Sequence, residues 1–80
     1  MNPLDKLTER QRQIAVMVRD GYSNKQIGRA LGIASGSVAN HLLDIYRSMG
    51  ISGKERSYSP RVKLAVMIAN DRIEKRMLGT

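Results

Sequence analysis

The side chains of this sequence that can do chemistry are cations and helix-starting hydroxyls, and the chemistry they suit is anion binding rather than bond making or breaking. Ser23-Asn24-Lys25-Gln26 is the clearest case. A Ser followed three residues later by Gln is a capping box: the hydroxyl accepts from the third helical amide, and the Gln carboxamide reaches back to the Ser backbone. Such a start directs its first amides and the positive end of the helix dipole outward, and Lys25 adds a full charge beside them, a combination suited to phosphate. A catalytic or metal-binding constellation cannot be assembled. His41 is the single His, Cys is absent, and the acids are scattered as Asp5, Glu9, Asp20, Asp44, Glu55, Asp71 and Glu74. No enzyme, metal or cofactor is expected, and His41 reads as a packing or phosphate-edge residue rather than a ligand or base.

The elements that must position these residues follow from start and stop signals. From Asn24, the residues Ile27, Ala30 and Leu31 supply one apolar face, and Gly32 stands where a helix closes in a left-handed residue, giving a helix over 24–31. After Gly32-Ile33-Ala34 the chain starts again at Ser35. Val38, Leu42, Ile45 and Met49 then recur in a single stripe on a helix over 35–49 that Gly50 ends. Two helices joined by a short Gly-containing turn are a helix-turn-helix. Half a turn from the buried stripe lie Gly36, Asn40, Leu43 and Arg47, with Asp44 beside them, and this outward face suits a DNA major groove.

Upstream, Thr8 and Gln11 form another capping box. Ile14, Ala15, Met17 and Val18 make a helix over 9–20 that packs behind the helix-turn-helix as a scaffold. Downstream, Ser59-Pro60 opens a helix over 60–77 whose first half is apolar nearly all round, so it must be covered on more than one side, by its own domain and by a second copy. The fold class is therefore all-α: a compact four-helix domain spanning 1–80.

Composition agrees. Fourteen Lys and Arg against seven Asp and Glu leave a net charge of +7, which suits a phosphate-bearing partner. Without Cys there are no disulfides or thiolate sites. The first thirty residues lack a signal-peptide core, and the longest apolar run, Leu64 to Ala69, is far short of a membrane span. A cytoplasmic, nucleoid-associated protein without membrane contact is expected. Eighty residues make a core of marginal stability, for which dimerisation is a natural supplement.

Taken together, Leu7-Thr8-Glu9-Arg10-Gln11, Gly21 to Ile27, Leu31-Gly32-Ile33, Val38 to Leu42 with His41, and Met49-Gly50-Ile51-Ser52 resemble the LuxR/GerE family of DNA-binding domains over roughly residues 7 to 70. The promoter-reading domain of sigma factors begins with similar wording, but the Met49 to Ser52 exit and the further long helix are GerE-like. The resemblance implies a homodimeric, sequence-specific regulator of transcription, here without a preceding receiver or ligand-sensing domain. Its recognition helix would read bases through Ser37, Ala39, Asn40, Leu43 and Arg47. Phosphate contacts would come from Thr8, Arg10, Ser23, Asn24, Lys25 and His41, with Arg12 and Arg29 as additions and Lys54 and Arg56 from the polar segment 52–59. In the family the last helix is the dimer contact, which here selects Val62, Val66, Met67, Asn70 and Ile73.

Three departures bear on this. The family usually places Ser or Thr where Ala34 stands, so Ser35 is expected to take over the cap. Ala39 and Leu43 replace frequent Lys or Arg, which leaves thymine methyls for them, adenine for Asn40, and phosphate or guanine for Arg47, an A/T-leaning site. The segment 52–59 runs about four residues longer than the pattern. Two other functions use the same scaffold: an adaptor or inhibitor that engages a protein partner through Ala39, Leu43 and Tyr46, and a nonspecific architectural DNA binder.

Overall fold

In the computed structural model, residues 3–51 and 59–77 are described, with side chains from 5 to 51 and from 59 to 70. A 3-10 turn at Pro3–Lys6 precedes four helices: α1 (Glu9–Arg19), α2 (Asn24–Leu31), α3 (Ser35–Ser48) and α4 (Pro60–Met77). The described residues contain no strand. Asp20 and Met49, expected as last helical residues, are the C-caps of α1 and α3.

Local bonds set these boundaries. Thr8 Oγ1 accepts from the Gln11 amide at 3.2 Å, and Gln11 Oε1 accepts from the Thr8 amide at 2.9 Å. Ser23 and Gln26 repeat the arrangement with the same two distances. Each cap contributes about 1 kcal/mol, because it satisfies helix-start donors that would otherwise rely on water. At the other end of α2, Gly32 has φ of +72°, and the Gly28 carbonyl accepts from both the Gly32 amide and, at 2.9 Å, the Ile33 amide. This closure reverses the chain within three residues. The same long-reach bond recurs after α1, from the Tyr22 amide to the Met17 carbonyl at 3.0 Å, and after α3, from the Ile51 amide to the Tyr46 carbonyl at 2.8 Å.

The cap of α3 differs from expectation. Ala34, extended at φ −69° and ψ 150°, occupies the cap position with no side-chain bond, and Ser35 is already the first helical residue. The Gly32 turn determines where the chain re-enters helical geometry. For Ser35 to act as cap it would have to leave the helix and delay it by one residue.

Ile14, Ile27, Val38, Ile45 and Leu64 are fully buried, joined by Leu7, Ala15, Val18, Leu42, Ile51 and Ile68. Each large aliphatic side chain removed from water contributes about 1.5–3 kcal/mol. Through these residues α1 packs on both α3 and α4 while α2 packs on α3, so α1 is the scaffold behind the helix-turn-helix. On α2 the inward positions are Ile27 and Gly28, and Ala30, expected on that face, is exposed. The reason is steric. A Cβ at Gly28 would lie 2.5 Å from the Ile33 carbonyl oxygen, so only a residue without one lets the turn fold back onto α2.

Two stability predictions follow from this geometry. Gly28→Ala gains up to about 1 kcal/mol of helix propensity. The backbone displacement it forces costs more, for a net loss of about 1–3 kcal/mol. Thermal denaturation should show a midpoint lower by roughly 4–8 °C per kcal/mol, and an unchanged or raised midpoint would refute the steric account. Ala34→Ser supplies the missing cap and should raise stability by about 0.5–1 kcal/mol in urea denaturation. A neutral effect there would mean that the α3 amides are already well satisfied by water.

Candidate nucleic-acid interface

Because Val38, Leu42 and Ile45 are turned into the core, α3 presents Gly36, Ser37, Asn40, Leu43, Asp44 and Arg47 to solvent. Leu43 is 53% exposed, unusual for a large apolar side chain and placed midway along this ridge. Ala39 and His41 are half-buried on its two shoulders. The ridge is a mixture of one amide, one hydroxyl, one cation, one carboxylate and an apolar centre. It suits hydrogen bonds to base edges at Asn40, methyl contact at Leu43, and a longer reach from Arg47. Tyr46, grouped with Ala39 and Leu43 in the adaptor alternative, departs from that surface: it is half-buried and packs against the core.

The start of α2 is a second cluster. The capping box occupies the Ser23 and Gln26 amides, and the Ile27 amide donates to the Ser23 carbonyl at 2.9 Å. Among the described residues the Asn24 and Lys25 amides have no protein partner, and the Lys25 side chain is exposed beside them. Two amides, a helix dipole and an ammonium converge there, the donor set of a phosphate site. Thr8, Arg10 and Arg29 are also exposed, whereas Arg12 lies 3.8 Å from Asp5 in a surface pair that screening makes weak. Lys54 and Arg56 lie outside the described residues.

Sequence reasoning missed Arg61. From the first turn of α4, its guanidinium donates to Asn24 Oδ1 at 2.6 Å and to the Tyr22 carbonyl. It also lies near Tyr46: burial raises that phenol above its ordinary pKa, and the Arg61 charge pulls it part of the way back. One signal was present in the sequence. A cation directly after a Ser-Pro helix start is at the electrostatically wrong end of a helix, so it needs a partner elsewhere. Asn24, expected at phosphate, therefore directs its side-chain oxygen at α4 and keeps its backbone amide at the helix start.

On α4, Val62, Val66 and Asn70 are exposed at i, i+4 and i+8, with Val62 and Val66 at 45% and 50%, so they share one outward face. Met67 is half-buried against the core. The side chain of Ile73 lies outside the described residues.

Comparison with known proteins agrees with this architecture. Residues 5–59 match the family described as bacterial regulatory proteins, luxR family. The chain is 43% identical over 54 residues to the helix-turn-helix-type transcriptional regulator YhjB of Escherichia coli (strain K12), covering 68% of this chain and 27% of that protein. To the transcriptional regulatory protein DegU of Brevibacillus brevis it is 34% identical over 61 residues, covering 76% of this chain and 26% of DegU. To the transcriptional regulatory protein SgaR of Hyphomicrobium methylovorum it is 30% identical over 63 residues, covering 79% and 30%. The matched region thus spans between a quarter and a third of these relatives. No solved structure matches the chain significantly.

Proposed function

The chain belongs to the luxR family of bacterial regulatory proteins, and on that premise we propose that it is a non-enzymatic, sequence-specific regulator of transcription that binds double-stranded DNA as a homodimer in the cytoplasm, associated with the nucleoid. The observation that carries this reading is the solvent-facing ridge of α3, opposite the buried stripe of a helix that packs against α2, whose start is suited to phosphate. In this reading α3 lies in the major groove. Asn40 forms a bidentate pair with adenine, Leu43 and Ala39 contact thymine methyls, Ser37 reaches a base edge, and Arg47 takes phosphate or guanine. Lys25 and the neighbouring amides fix the register on the backbone, helped by Ser23, Thr8, Arg10 and the edge of His41. The net charge of +7 raises affinity for any duplex and carries no sequence information.

Two copies joined through the Val62, Val66 and Asn70 face of α4 would set their recognition helices against half-sites about 10 bp apart. The exposed Leu43 favours one other reading, in which the α3 ridge binds a protein.

Selection from a random duplex pool, at near-physiological salt with competitor DNA, separates these readings. Enrichment of a two-fold symmetric, A/T-leaning motif is expected. Folded protein that enriches nothing would instead point to Leu43 as part of a protein-binding surface or to nonspecific architectural binding.

On the selected site, Asn40→Ala should weaken binding by ~1–3 kcal/mol at one base pair per half-site and leave random DNA nearly unaffected. Equal losses on both DNAs would remove Asn40 from base reading. Lys25→Ala should weaken all sequences alike and flatten the plot of log affinity against log salt by about one unit. Val66→Glu should convert the dimer to monomer in sedimentation, with a matching loss of affinity for the two-fold site, and an unaltered dimer would place the interface elsewhere.

A further inference from the structure

At the start of α2, Arg61 meets two residues distant from it in sequence. The Arg61 guanidinium, half-buried, donates one nitrogen to Asn24 Oδ1 at 2.6 Å and the other to the Tyr22 carbonyl, 37 and 39 residues earlier in the chain. These acceptors stand immediately before and after Ser23, the cap residue. A fork fastened on both sides of a cap fixes the direction in which the helix enters. Here it fixes the direction of the Asn24 and Lys25 amides, which have no protein partner among the described residues.

Charge alone does not explain an Arg in this place. The helix dipole makes the start of α2 positive, which disfavours a cation, and Arg61 is itself in the first turn of α4, a second positive end. The planar two-nitrogen geometry explains it: Lys carries the same charge but cannot satisfy two acceptors as a rigid fork.

We propose that Arg61 is a positioning residue, an interhelix clamp through which the seating of α4 aims the phosphate-binding amides at the start of α2. This rests on the DNA-binding reading above. In this role Arg61 itself touches no phosphate: two of its guanidinium nitrogens are engaged by Asn24 and Tyr22, and its effect on DNA passes through those residues. The clamp thereby joins the helix that carries the proposed dimer face to the helix that anchors the DNA backbone.

The test compares the full chain with Arg61→Lys and Arg61→Gln, using two readouts. In the free protein, amide exchange followed by NMR should be roughly 10-fold faster at Gln26 and Ile27 in both variants, while Ile45 in α3 keeps its protection. On duplex DNA, Arg61→Lys should bind roughly 3- to 10-fold more weakly, with the salt dependence unchanged. If Lys restored protection and affinity while Gln did not, charge rather than fork geometry would be responsible and the clamp would be overturned. A salt slope lower by about one unit in Arg61→Lys would overturn it too, because Arg61 would then be a phosphate ligand whose contact Lys fails to keep. Absence of duplex binding by the parent chain would refute the DNA reading itself. The exchange data still decide the clamp in that case: protection unchanged by both substitutions overturns it.

Discussion

The constraint on which the rest of the structure depends is the backbone approach at Gly28. The Gly28 carbonyl closes α2 by accepting from Gly32 and Ile33, and its missing Cβ leaves room for the Ile33 carbonyl to lie against the helix. One residue thus supplies both the bond that stops α2 and the space that lets the chain turn back across it. The position of α3 is set by that turn. Once Ser35 begins the helix, its 100° steps determine that Val38, Leu42 and Ile45 meet α1 and α2 and that Asn40, Leu43 and Arg47 face away. The surface offered to a partner is thereby a consequence of backbone packing at a buried position of α2.

Two kinds of interaction then divide the work of the surface. The start of α2 is held locally by the Ser23–Gln26 box and at long range by Arg61, so its amides point in a defined direction. Rigid donors of this kind recognise a phosphate wherever it occurs. The α3 ridge is different, since its side chains are exposed and few of them are charged. In the proposed complex it would add little to general affinity for a polyanion, and its contribution would lie in discriminating one base pair from another.

Much of this was legible in the sequence, for a physical reason. Capping boxes join residues three apart, and helix stripes join residues three and four apart, so Thr8–Gln11, Ser23–Gln26 and Val38–Leu42–Ile45 could be read from local spacing. What stayed hidden depended on contacts that spacing does not encode. Gly28 looked like an ordinary helical residue because the oxygen that excludes a side chain reaches it only after the turn closes, and Ala30 took its place in the reading of the inward face. Ala34 remained an unbonded cap because the turn, rather than the best capping side chain, decides where α3 begins. Arg61 was missed because its partners lie 37 and 39 residues away, on the far side of two other helices. At the site, the exposure of Ser37, Asn40, Leu43 and Arg47 followed from the opposite stripe, but the inward turn of Tyr46 and the engagement of Asn24 did not.

The chemistry of the α3 ridge bears on why two copies would be needed. A good bidentate pair contributes about 1–3 kcal/mol of discrimination against a wrong base, and Asn40 is the one amide on this face. In the proposed homodimer it acts twice, for about 2–6 kcal/mol, whereas specific DNA-binding proteins commonly prefer their sites by about 4–10 kcal/mol over random sequence. A monomer reading through Asn40 alone would fall below that range. The dimer enters it at the lower end, and the remainder must come from Leu43 and Ala39 against thymine methyls and from the local shape of A/T-rich DNA, whose narrow minor groove changes the cost of fitting the duplex to the protein. In the proposed complex the apolar Leu43, standing where a cation would read guanine, would shift the burden of specificity from guanine hydrogen bonds to methyl contact, DNA shape and two-fold repetition, and would make the outward face of α4 as necessary to selectivity as α3 itself.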